Sequence, residues 1–166
     1  MIDMTLQHPA FDFLPVSTPP DEETLFRIGS PYFLILERMN GFRIADISES
    51  EHNLVIYFVL SGGTEQKILK QVDNANKPDD FPVILLAHSS HNSLPAALEI
   101  LARLQQTGRK GRIVYLNDPE DMAGLEQLSV YIKLLTVHLG MQSARMGLVG
   151  KPSGWLVASS PDFDTI

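Results

Sequence analysis

The chain has 166 residues, no cysteine and a formal net charge of −7 at pH 7. The lack of thiols excludes disulfides, thiolate metal sites and a cysteine nucleophile. The acidic balance argues against a nucleic-acid partner, because phosphate binding needs clustered Lys and Arg. The longest apolar run covers residues 54–60, far short of the about 18–20 residues that a membrane span needs. Residues 1–4 show no secretory pattern, so we expect a cytoplasmic protein with no membrane partner.

The first fifty residues are weakly patterned. Residues 11–16 are apolar and aromatic and predict a strand, and residues 42–45 predict another. Between them, a Ser-Pro pair is predicted to begin a helix over residues 30–39, which Gly41 ends.

The rest of the chain alternates strands with helices. Continuous β-branched and aromatic runs predict strands that are buried on both faces of a sheet. These strands cover residues 54–60, 82–87, 112–116 and 145–149. A short helix follows the first of them, after the turn that contains Gly62 and Gly63.

Two longer helices are predicted from leucine and isoleucine residues at helical spacing. The first covers residues 93–107, and Asn92 or Ser93 can cap it. The second has Asp118 as its predicted cap and Pro119 at its first position, and Gly140 ends it.

Strands that alternate with helices through short loops predict right-handed crossovers and a parallel sheet. The expected fold is therefore α/β, a flavodoxin-like (Rossmann-like) three-layer sandwich with a mostly parallel sheet of five or six strands. We expect a single domain over residues 1–160, and residues 161–166 resemble the start of a linker to another domain.

Polar loops follow the four predicted strands of the second part of the chain. In a parallel sheet, ligands gather beyond the carboxyl ends of the strands, near the point where the strand order reverses. The loops at these ends are residues 61–65, 88–93, 117–118 and 150–153. They are expected to lie along one edge of the domain.

The turn at Gly62 and Gly63 has two interpretations. Two glycines let a backbone approach a ligand closely, but a tight strand-to-helix turn needs them as well. The turn is not a P-loop, because the Gly-Lys-Ser/Thr ending is absent, and the third glycine of a dinucleotide motif is missing too.

His88 and His91 are separated by three positions at a strand end. Two imidazoles can ligate a metal, but a catalytic site needs a third protein ligand, and the candidates Glu65 and Asp118 come from other loops. Hydrogen bonding to a polar ligand or to neighbouring loops is the preferred interpretation. A serine hydrolase is excluded, because no Gly-x-Ser-x-Gly motif is present.

Three segments resemble the N-terminal region of L-fucose isomerase-like proteins, which belong with the L-fucose and L-arabinose isomerases. They are residues 60–65, 87–99 and 145–157, and the Gly-Lys-Pro-Ser-x-Trp-Leu stretch from Gly150 is the most specific. The resemblance covers roughly residues 54–159, and the first fifty residues do not contribute to it.

The resemblance implies an aldose–ketose isomerase architecture in which flavodoxin-like domains precede a C-terminal domain. In that family a divalent metal, typically manganese, binds the oxygens of the open-chain sugar and stabilises an enediolate. The metal ligands come from later domains, so the resemblance implies no catalytic residue, no metal ligand and no cofactor in this chain. It does imply a homo-oligomer, the remaining domains of a parent enzyme as partners, and a sugar-like ligand.

For this chain, the resemblance implies residues that contact the substrate at the rim of its site or that support the residues in contact with it. The candidate residues are Gly62, Gly63, Thr64, Glu65, His88, Asn92, Ser153 and Trp155. Trp155 could pack against an adjacent domain or lie under a sugar ring, and packing is the favoured interpretation.

Two other functions remain open. The chain could be a stand-alone, non-catalytic module that binds a small ligand at the same loops or regulates another protein. A small flavin carrier is less favoured, because Pro19 and Pro20 remove N–H donors from the turn after the first strand.

Overall fold

The computed structural model of the chain describes residues 8–75, 77, 81–142 and 144–145. Over these residues, strands alternate with α-helices as the sequence predicts. In chain order the elements are β1 (Phe11–Val16), α1 (Glu22–Arg38), β2 (Gly41–Arg43), a 3-10 helix (Ile47–Glu49), β3 (Val55–Val59), α2 (Glu65–Asn74), β4 (Val83–His88), α3 (Ser93–Gln106), β5 (Gly111–Leu116) and α4 (Met122–Gln142).

The strands form one parallel sheet in the order β2-β1-β3-β4-β5. This is the flavodoxin-like order, and it reverses between β1 and β3, because β2 lies on one side of β1 and the later strands lie on the other. The predicted α/β three-layer sandwich is confirmed. The predicted strand over residues 145–149 lies outside the described residues except for Arg145, which has no regular secondary structure.

Both faces of the sheet are apolar and covered by helices. Since successive side chains of a strand point to opposite faces, β3 sends Phe58 to one face and Val59 to the other. Helices α1 and α4 pack over Phe58, whereas α2 and α3 pack over Val59. This double burial explains why the strands are continuous hydrophobic runs in the sequence.

Helix α1 begins eight residues before the predicted start at Ser30, so that prediction was wrong. The Asp21 side chain caps the helix, because its Oδ1 accepts a hydrogen bond from Thr24 N at 2.7 Å. Pro31 lies inside the helix instead of opening it. The buried side chains of the helix, Tyr32 and Phe33 among them, supply the packing that offsets the missing N–H.

The predicted boundaries of α4 and β2 also need correction. Helix α4 begins at Met122, and Asp121 rather than Asp118 caps it, with Gly124 N donating to Asp121 Oδ1 at 3.1 Å. Asp118 and Pro119 lie in the turn before the helix, which continues past Gly140 to Gln142. Strand β2 covers Gly41–Arg43 instead of residues 42–45. In the described part of the chain, no helix is long and apolar enough to cross a membrane.

Candidate functional site

The loops at the carboxyl ends of β1 and β3 are joined directly. Thr18 N, just after β1, donates to Ser61 Oγ at 2.8 Å, and Thr18 Oγ1 donates to Gly63 O at 3.1 Å. These bonds lie where the strand order reverses, which is the usual place for a ligand in an open parallel sheet.

The loops after β3, β4 and β5 continue this connection along the same edge. Gly62 N donates to His91 O at 2.8 Å, and Ser89 Oγ donates to Asn117 O at 2.6 Å. The prediction that the polar loops share one edge is therefore confirmed for those at residues 61–65, 88–93 and 117–118. The fourth loop, residues 150–153, lies outside the described residues.

The two glycines of the first turn have separate structural reasons. Gly63 has a φ of +77°, a conformation that side chains rarely adopt. A Cβ on Gly62 would lie 3.1 Å from Asn92 Cβ, so glycine permits the close approach of the β3 and β4 loops. The tight-turn interpretation accounts for both glycines. The same two glycines also line a cavity.

An open cavity of about 890 Å³ lies at this edge. Its walls come from the loop after β1, from α1, from the turn between β3 and α2, and from the start of α3. The polar and glycine residues that line it include Thr18, Arg27, Gly62, Gly63, Glu65, Gln66, His91, Asn92 and Glu99.

The ionisable groups at the cavity disfavour an anionic ligand. The lining contains one guanidinium, Arg27, against the two carboxyl groups of Glu65 and Glu99. Glu65 Oε1 accepts a hydrogen bond from Gly63 N at 3.3 Å, which removes one backbone donor that an oxyanion would need. The N–H of Thr18 is also taken, by Ser61 Oγ. This arrangement argues against the phosphate turn of a flavin carrier.

His88 lies beneath the cavity and is 1% exposed. Its Nε2 donates to Leu60 O at 2.9 Å, and its Nδ1 accepts from Ser90 N at 3.4 Å. Burial lowers the pKa of His88, and the nearby His91 acts in the same direction, although the bond to Leu60 raises it. Burial and the Ser90 N–H that points at Nδ1 both favour the neutral imidazole of His88.

Ser93 connects the ends of β3 and β4 below the cavity. Its Oγ accepts from His88 N at 2.9 Å and donates to Val59 O. Asn92, the residue before α3, has a left-handed backbone and its side chain makes no capping hydrogen bond. Neither residue caps α3 through its side chain as predicted. The Asn92 amide is left at the cavity wall.

A divalent metal does not fit the described residues. Both ring nitrogens of His88 are engaged by protein groups, so the two histidines cannot act as a ligand pair. Over the described ranges, no three His, Cys, Asp or Glu side chains lie close enough to hold an ion. Asp118 turns back on its own loop, where its Oδ1 accepts from Glu120 N at 2.8 Å.

The structure brings together four of the candidate residues from the sequence at the cavity wall, namely Gly62, Gly63, Glu65 and Asn92. Thr64 and His88 are buried beneath them, and Thr64 Oγ1 donates to Ser61 O at 2.8 Å. Ser153 and Trp155 lie outside the described residues.

Several other residues of the cavity wall were not candidates from the sequence, Thr18, Arg27 and Glu99 among them. Arg27 was missed because the start of α1 was misplaced. A helix beginning at Glu22 brings Arg27 to its second turn, whereas the predicted helix left it in a loop. His91 was expected to bond a polar ligand or the neighbouring loops, but nothing in the sequence pattern indicates its left-handed backbone, with a φ of 57°.

Comparison of the chain with models of protein families, with curated proteins and with solved structures finds no match. The fold and the geometry of the cavity are thus the basis for a functional proposal, together with the resemblance of residues 60–65, 87–99 and 145–157 to the sugar isomerases.

Proposed function

We propose that the chain is an N-terminal domain of an aldose–ketose isomerase-like protein of the cytoplasm, in which it helps to form the sugar site and is not catalytic alone. The observation that carries this proposal is the cavity between the β1, β3 and β4 loops, where hydrogen-bonding groups from several elements converge. The cavity walls include two of the three segments that resemble the isomerases.

The chemistry of the cavity suits a neutral, polyhydroxylated ligand. Each sugar hydroxyl both donates and accepts hydrogen bonds, so its site needs donors and acceptors side by side. Arg27 supplies donors, Glu65 and Glu99 supply acceptors, and the Asn92 amide supplies both. A phosphate or a nucleotide would meet more negative than positive charge here.

In this proposal, catalysis and sugar binding belong to different domains. The resemblance implies that a metal and acidic residues of later domains move the protons of the reaction. The described residues offer no such centre, so binding and orientation of the sugar are the contribution we assign to this chain.

An interface with another subunit is part of the same proposal. The outer side of α4 carries apolar residues that are 47–73% exposed, although the opposite side of this helix packs on the sheet. They are Val130, Leu134, Val137 and Met141. Their spacing of four, three and four residues places them in one row along the helix, which suits packing against a second copy of the chain.

Calorimetric titration with L-fucitol, the reduced form of L-fucose, tests the binding. We expect millimolar affinity, and the variant Asn92→Gly should bind about three- to tenfold more weakly, because it loses the amide while keeping the left-handed backbone. Asn40→Gly is the matched control: Asn40 has a φ of 68° and lies before β2, away from the cavity. Equal affinities for the two variants would contradict the proposed site.

The second half of the proposal concerns activity. The chain, supplied with manganese, is expected to convert neither L-fucose nor L-arabinose, because it holds no group of metal ligands among its described residues. Formation of the corresponding ketose above the rate of the metal-only control would overturn the assignment of a non-catalytic domain.

A further inference from the structure

Ser90 connects the two histidines at the β4 end. Its Oγ lies 3.1 Å from His88 Nδ1 and 3.1 Å from His91 Nδ1. One hydroxyl thus joins a buried imidazole to an exposed one that lines the cavity. The direction of each hydrogen bond follows from the partners of His88.

The protonation of His88 is fixed at both nitrogens. Nε2 faces the carbonyl of Leu60, which can only accept, so Nε2 carries the proton. Nδ1 accepts from the Ser90 N–H, so it carries none. Since Nδ1 is an acceptor, the nearby Ser90 hydroxyl can bond to it only as a donor, and the lowering of the His88 pKa by burial acts in the same direction.

With the Ser90 hydroxyl donating to His88, His91 takes the complementary role. Once the Ser90 hydrogen points to His88, the oxygen can only accept from the second imidazole, so His91 Nδ1 donates to it. In the neutral ring, Nε2 of His91 then has a lone pair and no proton. Within the described part of the chain, Nε2 has no hydrogen-bond partner.

We propose that Ser90 is a positioning residue that holds His91 as the Nδ1–H tautomer, so that Nε2 accepts a hydrogen bond from a hydroxyl of a neutral polyol in the cavity. This inference rests on the proposed function, and it narrows the ligand to one that presents a hydroxyl donor to His91 at the cavity wall. The consecutive left-handed residues His91 and Asn92, with φ of 57° and 56°, hold the ring at this place.

Long-range proton–nitrogen spectra of the imidazoles in the 15N-labelled chain test the tautomers directly, with His91→Gln used to assign the His91 signals. We expect His88 as the Nε2–H form and His91 as the Nδ1–H form. Ser90→Ala removes the acceptor for His91 Nδ1 and should return His91 to the mixture typical of a solvated imidazole. Ser90→Thr keeps a hydroxyl and should restore the wild-type spectrum.

The same samples are then titrated with L-fucitol. The His91 Nε2 resonance should move in the wild type and in Ser90→Thr, and Ser90→Ala should bind about three- to tenfold more weakly. Changes at the amides of Gly62, Gly63 and Asn92 without any change at His91 Nε2 would overturn this inference alone. No change at any of these positions would overturn the proposed function and this inference with it. A wild-type His91 in the Nε2–H form, or a Ser90→Ala spectrum equal to that of the wild type, would also overturn the inference.

Discussion

At the scale of single residues, Asp12 is a buried carboxyl group with several hydrogen-bond partners near the amino ends of the strands. It lies in β1, is 1% exposed, and accepts hydrogen bonds from Ser50 Oγ at 2.8 Å and His52 N at 2.9 Å. His52 Nδ1 lies 2.7 Å from the other carboxyl oxygen, and the Phe42 ring stacks on His52 with centroids 4.7 Å apart. One carboxyl group thus fixes the connection that leads into β3.

We expect Asp12→Ala to lower the free energy of unfolding by about 2 kcal/mol, because it leaves the partly buried donors of Ser50 and His52 without their acceptor. Urea denaturation measures this change. Asp73→Ala is the control, since Asp73 is 74% exposed in its pair with Arg109 and should cost less than about 1 kcal/mol. A cost for Asp12→Ala no greater than that of the control would contradict this role.

The sequence predicts the strand that contains Asp12 but not the role of its carboxyl group. Residues 11–16 are apolar enough to indicate burial, and a buried carboxyl needs partners. Its partners are 38 and 40 residues away along the chain, so only the folded connection between β2 and β3 identifies them. The tautomer of His91 likewise depends on a residue that is distant in the sequence. The carbonyl of Leu60 holds the proton of His88 at Nε2, and Ser90 connects His88 to His91.

At the scale of elements, the strands follow from their apolar runs, whereas two helix starts were misplaced. Both errors concern proline. The sequence pattern puts Pro31 and Pro119 at the first positions of helices, where their missing N–H does no harm. In the structure Pro31 is inside α1 and Pro119 precedes α4, because Asp21 and Asp121 provide the caps and burial of the apolar faces decides the extent of each helix.

Helix α4 offers a matched pair of glycine substitutions. A Cβ on Gly124 would lie 2.7 Å from Tyr115 O of β5, and this backbone atom cannot move aside. A Cβ on Gly140 would meet nothing within 4 Å. Gly124→Ala should therefore destabilise the protein by about 1–3 kcal/mol despite the better helix propensity of alanine, whereas Gly140→Ala should stabilise it by up to about 1 kcal/mol.

Urea denaturation of the two variants beside the wild type measures this difference. The sign of the effect is the decisive result, because both substitutions are in one helix and replace the same residue. Stabilisation by Gly124→Ala would show that α4 does not pack against β5 as closely as the structure has it.

At the scale of the whole molecule, the position of the cavity follows from topology. Parallel strands place all of their carboxyl ends at one edge, so the sequence alone predicts that the loops at residues 61–65 and 88–93 meet. The loop after β1 joins them only because β1 and β3 are neighbours, and the sequence gives no strand order. Thr18 and Arg27 therefore required the structure, as did the balance of charge around the cavity.

Binding at this edge is the central claim, and backbone amide NMR of the 15N-labelled chain during a titration with L-fucitol tests it most directly. We expect the largest shifts at the amides of Thr18, residues 61–66 and residues 91–92, and we expect the flavin mononucleotide FMN at equal concentration to leave these amides unchanged. Shifts confined to other surfaces, or stronger shifts with FMN than with L-fucitol at these amides, would contradict it.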